Sequence, residues 1–121
     1  MGAPVNQAIL KKSVALTTDG SGNASGTITG LSGEILGVYV DLGTGMSSAP
    51  LSVTNEFGQT VLTKTFTTDG FIQPRVGVTT NDGTTAITNS YIPYINCGGS
   101  ITAAVASGTA SKSLTVYVLY R

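Results

Sequence analysis

From Lys112 to Tyr120 the chain reads KSLTVYVLY. Every second residue from Leu114 onward is apolar, which is the period of a β-strand with one buried face, because successive side chains of a strand point to opposite sides. Tyr117 and Leu119 make the opposite face apolar as well. A strand with two apolar faces is predicted to lie centrally in the stack of sheets or to be half-covered by a partner.

Shorter stretches with the same alternation fill most of the chain. Glycine recurs every few residues and β-branched residues dominate the apolar stretches, which disfavours helix and favours strand. Asp-Gly steps at residues 19–20, 69–70 and 82–83 mark turns. About eight or nine short strands predict an all-β, two-sheet antiparallel β-sandwich of jelly-roll or Greek-key topology. Stretches 100–106 and 112–120 are expected to form a hairpin.

Three local features refine this prediction. Pro74 lacks a backbone donor, so the strand around it is expected to be bent, interrupted or at an edge of the sheet. Lys64, among apolar neighbours, predicts an edge or rim position. Residues 42–50 and 84–90 are rich in small and polar side chains and are expected to be loops.

The first residues fit no hairpin. We therefore predict an extended N-terminal arm over residues 1–12 and the sandwich domain over residues 13–121. The arm either closes the bottom of the sandwich or packs on a neighbouring subunit, since it is apolar where a free tail would be polar. It contributes four candidate interface residues: Pro4, Val5, Ile9 and Leu10. It lacks the charge and apolar core of a signal peptide, which predicts that the protein is made and first used in a cytoplasm.

Arg75 follows Pro74 within an apolar stretch and is the fifth candidate interface residue. One interpretation is a surface or rim arginine. The other is a planar guanidinium that pairs with a carboxylate or a backbone carbonyl to hold the bent strand, or that reaches across an interface.

Charge is scarce in this sequence. Charged residues make up 10% of the chain and the formal net charge is zero, against a usual charged fraction of about 25%. Weak mutual repulsion favours association. No basic patch supports nucleic-acid binding, and no apolar run is long enough to span a membrane as a helix.

Catalytic and metal sites find no support either. The chain contains no histidine and a single cysteine, Cys97, which is expected to be a small buried apolar side chain. Histidine-based nucleophile pairs and zinc sites are therefore excluded. The acidic residues fall mostly at turns, where aspartates cap their own backbone. We predict no catalytic residues, no metal site and no cofactor.

A set of local patterns resembles a family of small tailed-bacteriophage virion proteins, classed as head decoration, cement or minor structural proteins. The Pro74–Arg75 step is the most distinctive element. The matching patterns, in order, are TTDG at 17–20 with GNA at 22–24, LSGEIL at 31–36, VYVD at 38–41, VTNEFGQTVL at 53–62, DGFIQPR at 69–75, NDG at 81–83 and SKSLTVYV at 111–118.

The resemblance implies an oligomeric β-sandwich in the virion without catalytic residues. Its implied partners are the major capsid protein and copies of itself, a trimer being the state that would suit a three-fold capsid site. A neck, tail or fibre-base component is the first alternative, and a carbohydrate- or receptor-binding module is the second. That module would depend on the tyrosines, namely Tyr39, Tyr91, Tyr94, Tyr117 and Tyr120.

Overall fold

The computed structural model describes residues 8–79, 83, 86–96 and 98–121. Within these ranges the chain forms ten β-strands and no helix. No helix that could span a membrane occurs in this part of the chain. The strands are β1 (Leu10–Thr17), β2 (Ala24–Thr29), β3 (Gly33–Leu42), β4 (Ala49–Asn55), β5 (Thr60–Phe66), β6 (Gly70–Ile72), β7 (Arg75–Thr79), β8 (Ala86–Asn96), β9 (Ser100–Val105) and β10 (Ser113–Tyr120).

The strand order confirms the predicted antiparallel sandwich and selects the jelly roll. Sheet A has the order β1-β10-β3-β8-β7, with β6 also on β3, and sheet B has the order β2-β9-β4-β5. The pairs β1–β10, β2–β9, β3–β8 and β4–β5 form a continuous series of antiparallel strand pairs along the chain. When this series of pairs wraps around the core, β10 comes to lie beside β3 and β9 beside β4, which is how a jelly roll joins two Greek keys.

The core lies between the two sheets and follows the predicted alternation. In β10 the side chains of Leu114, Val116 and Val118 are buried, and Val38 and Val40 of the neighbouring strand β3 lie beside them on the same face of sheet A. Burying one such side chain contributes about 1.5–3 kcal/mol. The other buried apolar residues are Leu16, Ile28, Leu31, Ile35, Met46, Ala49, Leu51, Val53, Leu62, Phe66, Ile101, Ala103 and Val105.

One predicted pairing is wrong. β9 and β10 do not form a hairpin, because β9 belongs to sheet B and β10 to sheet A. The connection between them crosses from one sheet to the other, and it turns through Ser107 and Ser111, which have positive φ angles of 56° and 55°. Adjacency along the chain predicts a hairpin, but the buried faces of both strands are satisfied when they lie on opposite sides of the core.

Several boundaries also differ from the prediction. β1 begins at Leu10 rather than at Ser13, so Leu10 pairs with Tyr120 and the sheet extends into the predicted arm. β8 begins at Ala86, within a stretch expected to be a loop. β5 is an edge strand of sheet B with Lys64 exposed, as predicted. Cys97, Pro4 and Val5 lie outside the described residues.

A candidate partner interface at one end of the sandwich

The two ends of the sandwich differ in chemistry. At one end β1, β3, β5 and β9 begin and β2, β4, β8 and β10 end, as the registers Leu10↔Tyr120, Gly33↔Asn96 and Asn55↔Ile101 show. We call this end, together with the strands that extend from it, the apolar end, because large apolar side chains are exposed on both. They are Ile9, Leu10, Phe57, Val76, Ile87, Tyr91, Ile92 and Ile95.

A two-stranded extension of sheet A carries most of these side chains. Only Tyr94–Asn96 of β8 pairs with β3, because β6 occupies the next part of the same edge of β3. The preceding residues of β8 pair with β7 instead, with Val76 opposite Ile92 and Gly77 opposite Tyr91. We call β7 with residues 86–93 of β8 the β7–β8 ribbon.

Two prolines account for this departure from the sheet. Pro74 separates β6 from β7, which confirms the predicted interruption. Pro93 lies where β8 leaves β3, opposite Arg75. Neither proline has an N–H to donate to a ladder, and the Tyr94 N–H instead donates to the Pro74 carbonyl at 3.2 Å.

Buried amide side chains hold the base of the ribbon. Asn55 Nδ2 donates to the Tyr94 hydroxyl at 3.0 Å, and that hydroxyl donates to Asn96 Oδ1 at 3.2 Å. Asn96 Nδ2 donates to the Leu31 carbonyl at 2.5 Å. The network joins β4 of sheet B to β8 of sheet A, so it fixes the position at which the β7–β8 ribbon leaves the sandwich.

The exposed apolar residues alternate around the ribbon. Val76 and Ile92 are directly opposed and therefore share one face, while Tyr91, 63% exposed, lies on the other. Ile95, 56% exposed, lies beside the ribbon, opposite Glu34 of β3. An isolated two-stranded hairpin is marginal in water, and a cluster of exposed large apolar side chains is typical of interaction surfaces.

The structure brings two of the predicted interface residues together. Ile9, 59% exposed, and Arg75 both line a surface cavity of about 260 Å³. Arg75 is exposed, and its Nη2 donates to Gln73 Oε1 at 3.0 Å. Leu10 follows Ile9 but does not line the cavity. The remaining lining residues are Ile35, Leu36, Gln73, Pro74 and Pro93.

Sequence reasoning missed the apolar residues of the ribbon. Val76, Tyr91 and Ile92 read as ordinary members of half-buried strands, because alternation does not show which strands lack a second sheet above them. The available signal was the pair of prolines, Pro74 and Pro93, which flank the point of departure.

The opposite end, which we call the polar end, is closed by hydrogen bonds. The buried Thr18 hydroxyl donates to the Thr109 carbonyl at 2.5 Å and accepts from the Lys112 N–H at 3.0 Å. Thr109 Oγ1 accepts the Ser48 N–H at 3.0 Å. Asp19 Oδ1 accepts the N–H groups of Asn23 and Ser21, and these bonds lower the pKa of the Asp19 carboxyl from its ordinary 3.8.

The outer face of sheet A carries a second, shallower depression of about 310 Å³. Its lining is aromatic with one charge of each sign: Lys11, Tyr39, Asp41, Tyr117 and Leu119. The Lys11 ammonium lies 5.4 Å from the centroid of the Tyr117 ring. Partial desolvation raises the pKa of Tyr39, and the charges of Asp69 and Asp41 add to this effect.

Both surfaces combine apolar or aromatic side chains with few charges. Of the described residues that line the cavity at the apolar end, Arg75 alone is charged. Among the described residues no three His, Cys, Asp or Glu side chains come together. What these surfaces offer a partner is apolar area, aromatic rings and a few charges.

Comparisons with known proteins identify no family. No family model and no curated protein matches the chain. Among the solved structures that match, the capsid asymmetric unit of the cyanophage Pam1 contains a chain that is 18% identical with a TM-score of 0.43, over 99% of this chain and 91% of that chain. A likeness this distant assigns no role, and the fold described above rests on the strand pairing of this chain alone.

Proposed function

We propose that this chain is a structural protein of a tailed-bacteriophage particle, and within the particle a capsid decoration protein that binds the major capsid protein lattice. The observation that carries the proposal is the apolar end, with exposed side chains such as Tyr91, Ile92 and Ile95. The sequence resemblance to small virion proteins supports the same assignment.

The physical basis is adhesion by a rigid body. The described residues of the buried core lie in the two sheets and the loops that join them, and the ribbon exposes apolar side chains that are available to a neighbour. A stable contact buries about 800 Å² on each partner, and each apolar side chain removed from water adds about 25 cal/mol per Å² before the costs of association. Many copies acting together would brace a shell.

Two further parts of the proposal follow from the same chemistry. The chain acts without catalysis, as a component that holds others in place. The N-terminal residues Pro4 and Val5, which precede Ile9 at the cavity, extend the contact onto the neighbouring subunit.

Reconstitution tests the contact directly. Purified protein is added to particles of the encoding phage that lack it, and bound protein is measured after sedimentation. Ile95→Asp places a charge in the apolar end and is expected to weaken binding by at least about tenfold, because an unpaired charge would be buried. Thr63→Asp, at an exposed position of β5, is the matched control and is expected to bind normally. Equal binding by all three proteins would overturn the role of the apolar end.

Copy number separates the decoration role from the alternatives. Quantitative mass spectrometry of purified particles should find on the order of hundreds of copies if the protein covers the capsid lattice. About a dozen copies that co-purify with tails would instead identify a neck, tail or fibre-base component. Absence from the particle would overturn both assignments.

A further inference from the structure

The outer face of sheet A has an internal symmetry that follows from its strand register. Tyr117 of β10 lies at the centre of this face, between Ser13 of β1 and Tyr39 of β3. Lys11 lies two residues from Ser13 toward the apolar end, level with Leu119. Asp41 lies two residues from Tyr39 toward the polar end, level with Thr115.

Lys11 and Asp41 are therefore placed symmetrically about Tyr117. Neighbouring strands are about 4.8 Å apart and residues rise about 3.4 Å along a strand. Each of the two charged residues is then about 8 Å from Tyr117 in the plane of the sheet, in opposite diagonal directions, and they are about 17 Å from each other. Both side chains are exposed.

We propose that this face binds a second copy of the chain about a two-fold axis that runs parallel to the sheet, above its outer face, at the position of the Tyr117 ring. Rotation about the axis perpendicular to the Lys11–Asp41 diagonal exchanges the two positions. Each Lys11 then stands over Asp41 of the second copy, and the two Tyr117 rings meet at the centre. An interface of this kind is isologous, since the same patch serves both copies.

Charge complementarity selects a second copy as the occupant. The depression on this face is lined by one cation, Lys11, and one carboxylate, Asp41, at opposite corners, and the carboxylate of Asp69 lies beside Tyr39 on the Asp41 side. The two-fold image of the face therefore brings the cation of each copy to the acidic side of the other. The net charge of zero adds no long-range repulsion between copies. The axis is diagonal to the strands, so the strands of the two copies cross in the manner of orthogonally packed sheets.

The shape of the face suits such a contact. The Phe71 ring lies over the Cα of Gly37, where any Cβ would collide with it. The ring therefore packs on the backbone at the edge of the face, half exposed, on the strand next to the tilted pair of Tyr39 and Tyr117, whose centroids are 6.1 Å apart. Aromatic side chains with polar tips are enriched at interfaces of this kind.

The size of the face predicts a weak dimer. Four strands and about six residues along each cover roughly 20 Å by 20 Å, which is below the area of a standard stable interface of about 800 Å² on each side. We therefore expect a reversible monomer–dimer equilibrium in the micromolar to millimolar range, and a dimer rather than the trimer that a capsid role alone suggests.

Sedimentation velocity of the full chain from about 1 μM to about 1 mM tests the proposal. Lys11→Glu and Asp41→Lys are each expected to weaken dimerisation at least about tenfold, because each brings like charges together. The double exchange is expected to restore it. Lys64→Glu, on the exposed edge of sheet B, is the matched control and should dimerise as the parent does.

Three outcomes would overturn the inference: a monomer throughout the concentration range, an oligomer that ignores both single charge reversals, or a double exchange that fails to restore dimers although circular dichroism shows it folded. Asp69 is left unchanged because its Oδ1 accepts the Leu42 N–H at 2.8 Å and so supports the fold. The result is independent of particle binding, which the apolar-end variant measures.

Discussion

The polar end and the apolar end of the sandwich differ in how far their exposed groups are satisfied by contacts within the chain. At the polar end, buried and half-buried hydroxyls such as Thr18 and Thr109 satisfy the loop backbone from within the chain. At the apolar end, the β7–β8 ribbon leaves the sheet, and Tyr91, Ile92 and Ile95 remain exposed. The polar end is therefore complete as a monomer, whereas the apolar end has exposed apolar surface that a partner would cover.

The largest expected effect tests whether the free energy of unfolding depends on the core between the two sheets and not on the apolar end. Leu51→Ala removes a fully buried side chain of β4 and should lower the free energy of unfolding by about 2–5 kcal/mol. Ile95→Ala, at the apolar end, should change it by no more than about 0.5 kcal/mol. Urea unfolding followed by circular dichroism measures both. A loss from Ile95→Ala as large as that from Leu51→Ala would remove the distinction between the two regions.

A middle-sized effect concerns the junction between the body and the ribbon. Asn96→Ala leaves the Leu31 carbonyl without its side-chain donor and takes the acceptor from the Tyr94 hydroxyl. A loss of about 1–3 kcal/mol is expected, together with faster amide exchange at Tyr94 and in the ribbon. Thr102→Ala, at a half-buried threonine of β9 whose hydroxyl pairs with that of Thr27 at 3.0 Å, is the control. Unchanged exchange in the ribbon would show that the network does not position it.

The smallest effect sharpens the description of the polar end. The pKa of Asp19 is lowered by hydrogen bonds from Asn23 and Ser21, so the folded state binds this proton less readily than the unfolded chain. The contribution to stability is therefore complete above the ordinary pKa of 3.8 and is lost as pH falls through the folded-state value below it. Asp19→Asn should flatten that part of the profile of melting temperature against pH.

The tetrapeptide TTDG occurs twice in the chain, and its two copies show which interactions the local sequence determines and which it does not. At residues 17–20 its aspartate caps its own turn through the N–H groups of Ser21 and Asn23. At residues 67–70 the equivalent Asp69 accepts the N–H of Leu42, which is 27 residues away along the chain. The same four residues predict a turn in both places, but the partner of the carboxylate depends on which strand end lies nearby.

The sequence by itself determined the all-β class, the approximate strands and the buried face of each. Alternation places Leu114, Val116 and Val118 on one side whatever the neighbouring strand is, because side chains in a strand alternate with a period of two. Only the tertiary structure decided which strands pair, that β9 and β10 lie in different sheets, and that Ile9 and Arg75 meet at one cavity. Those outcomes depend on contacts between residues far apart in the chain, and a pattern with a period of two contains no information about which distant strand supplies the other half of a ladder.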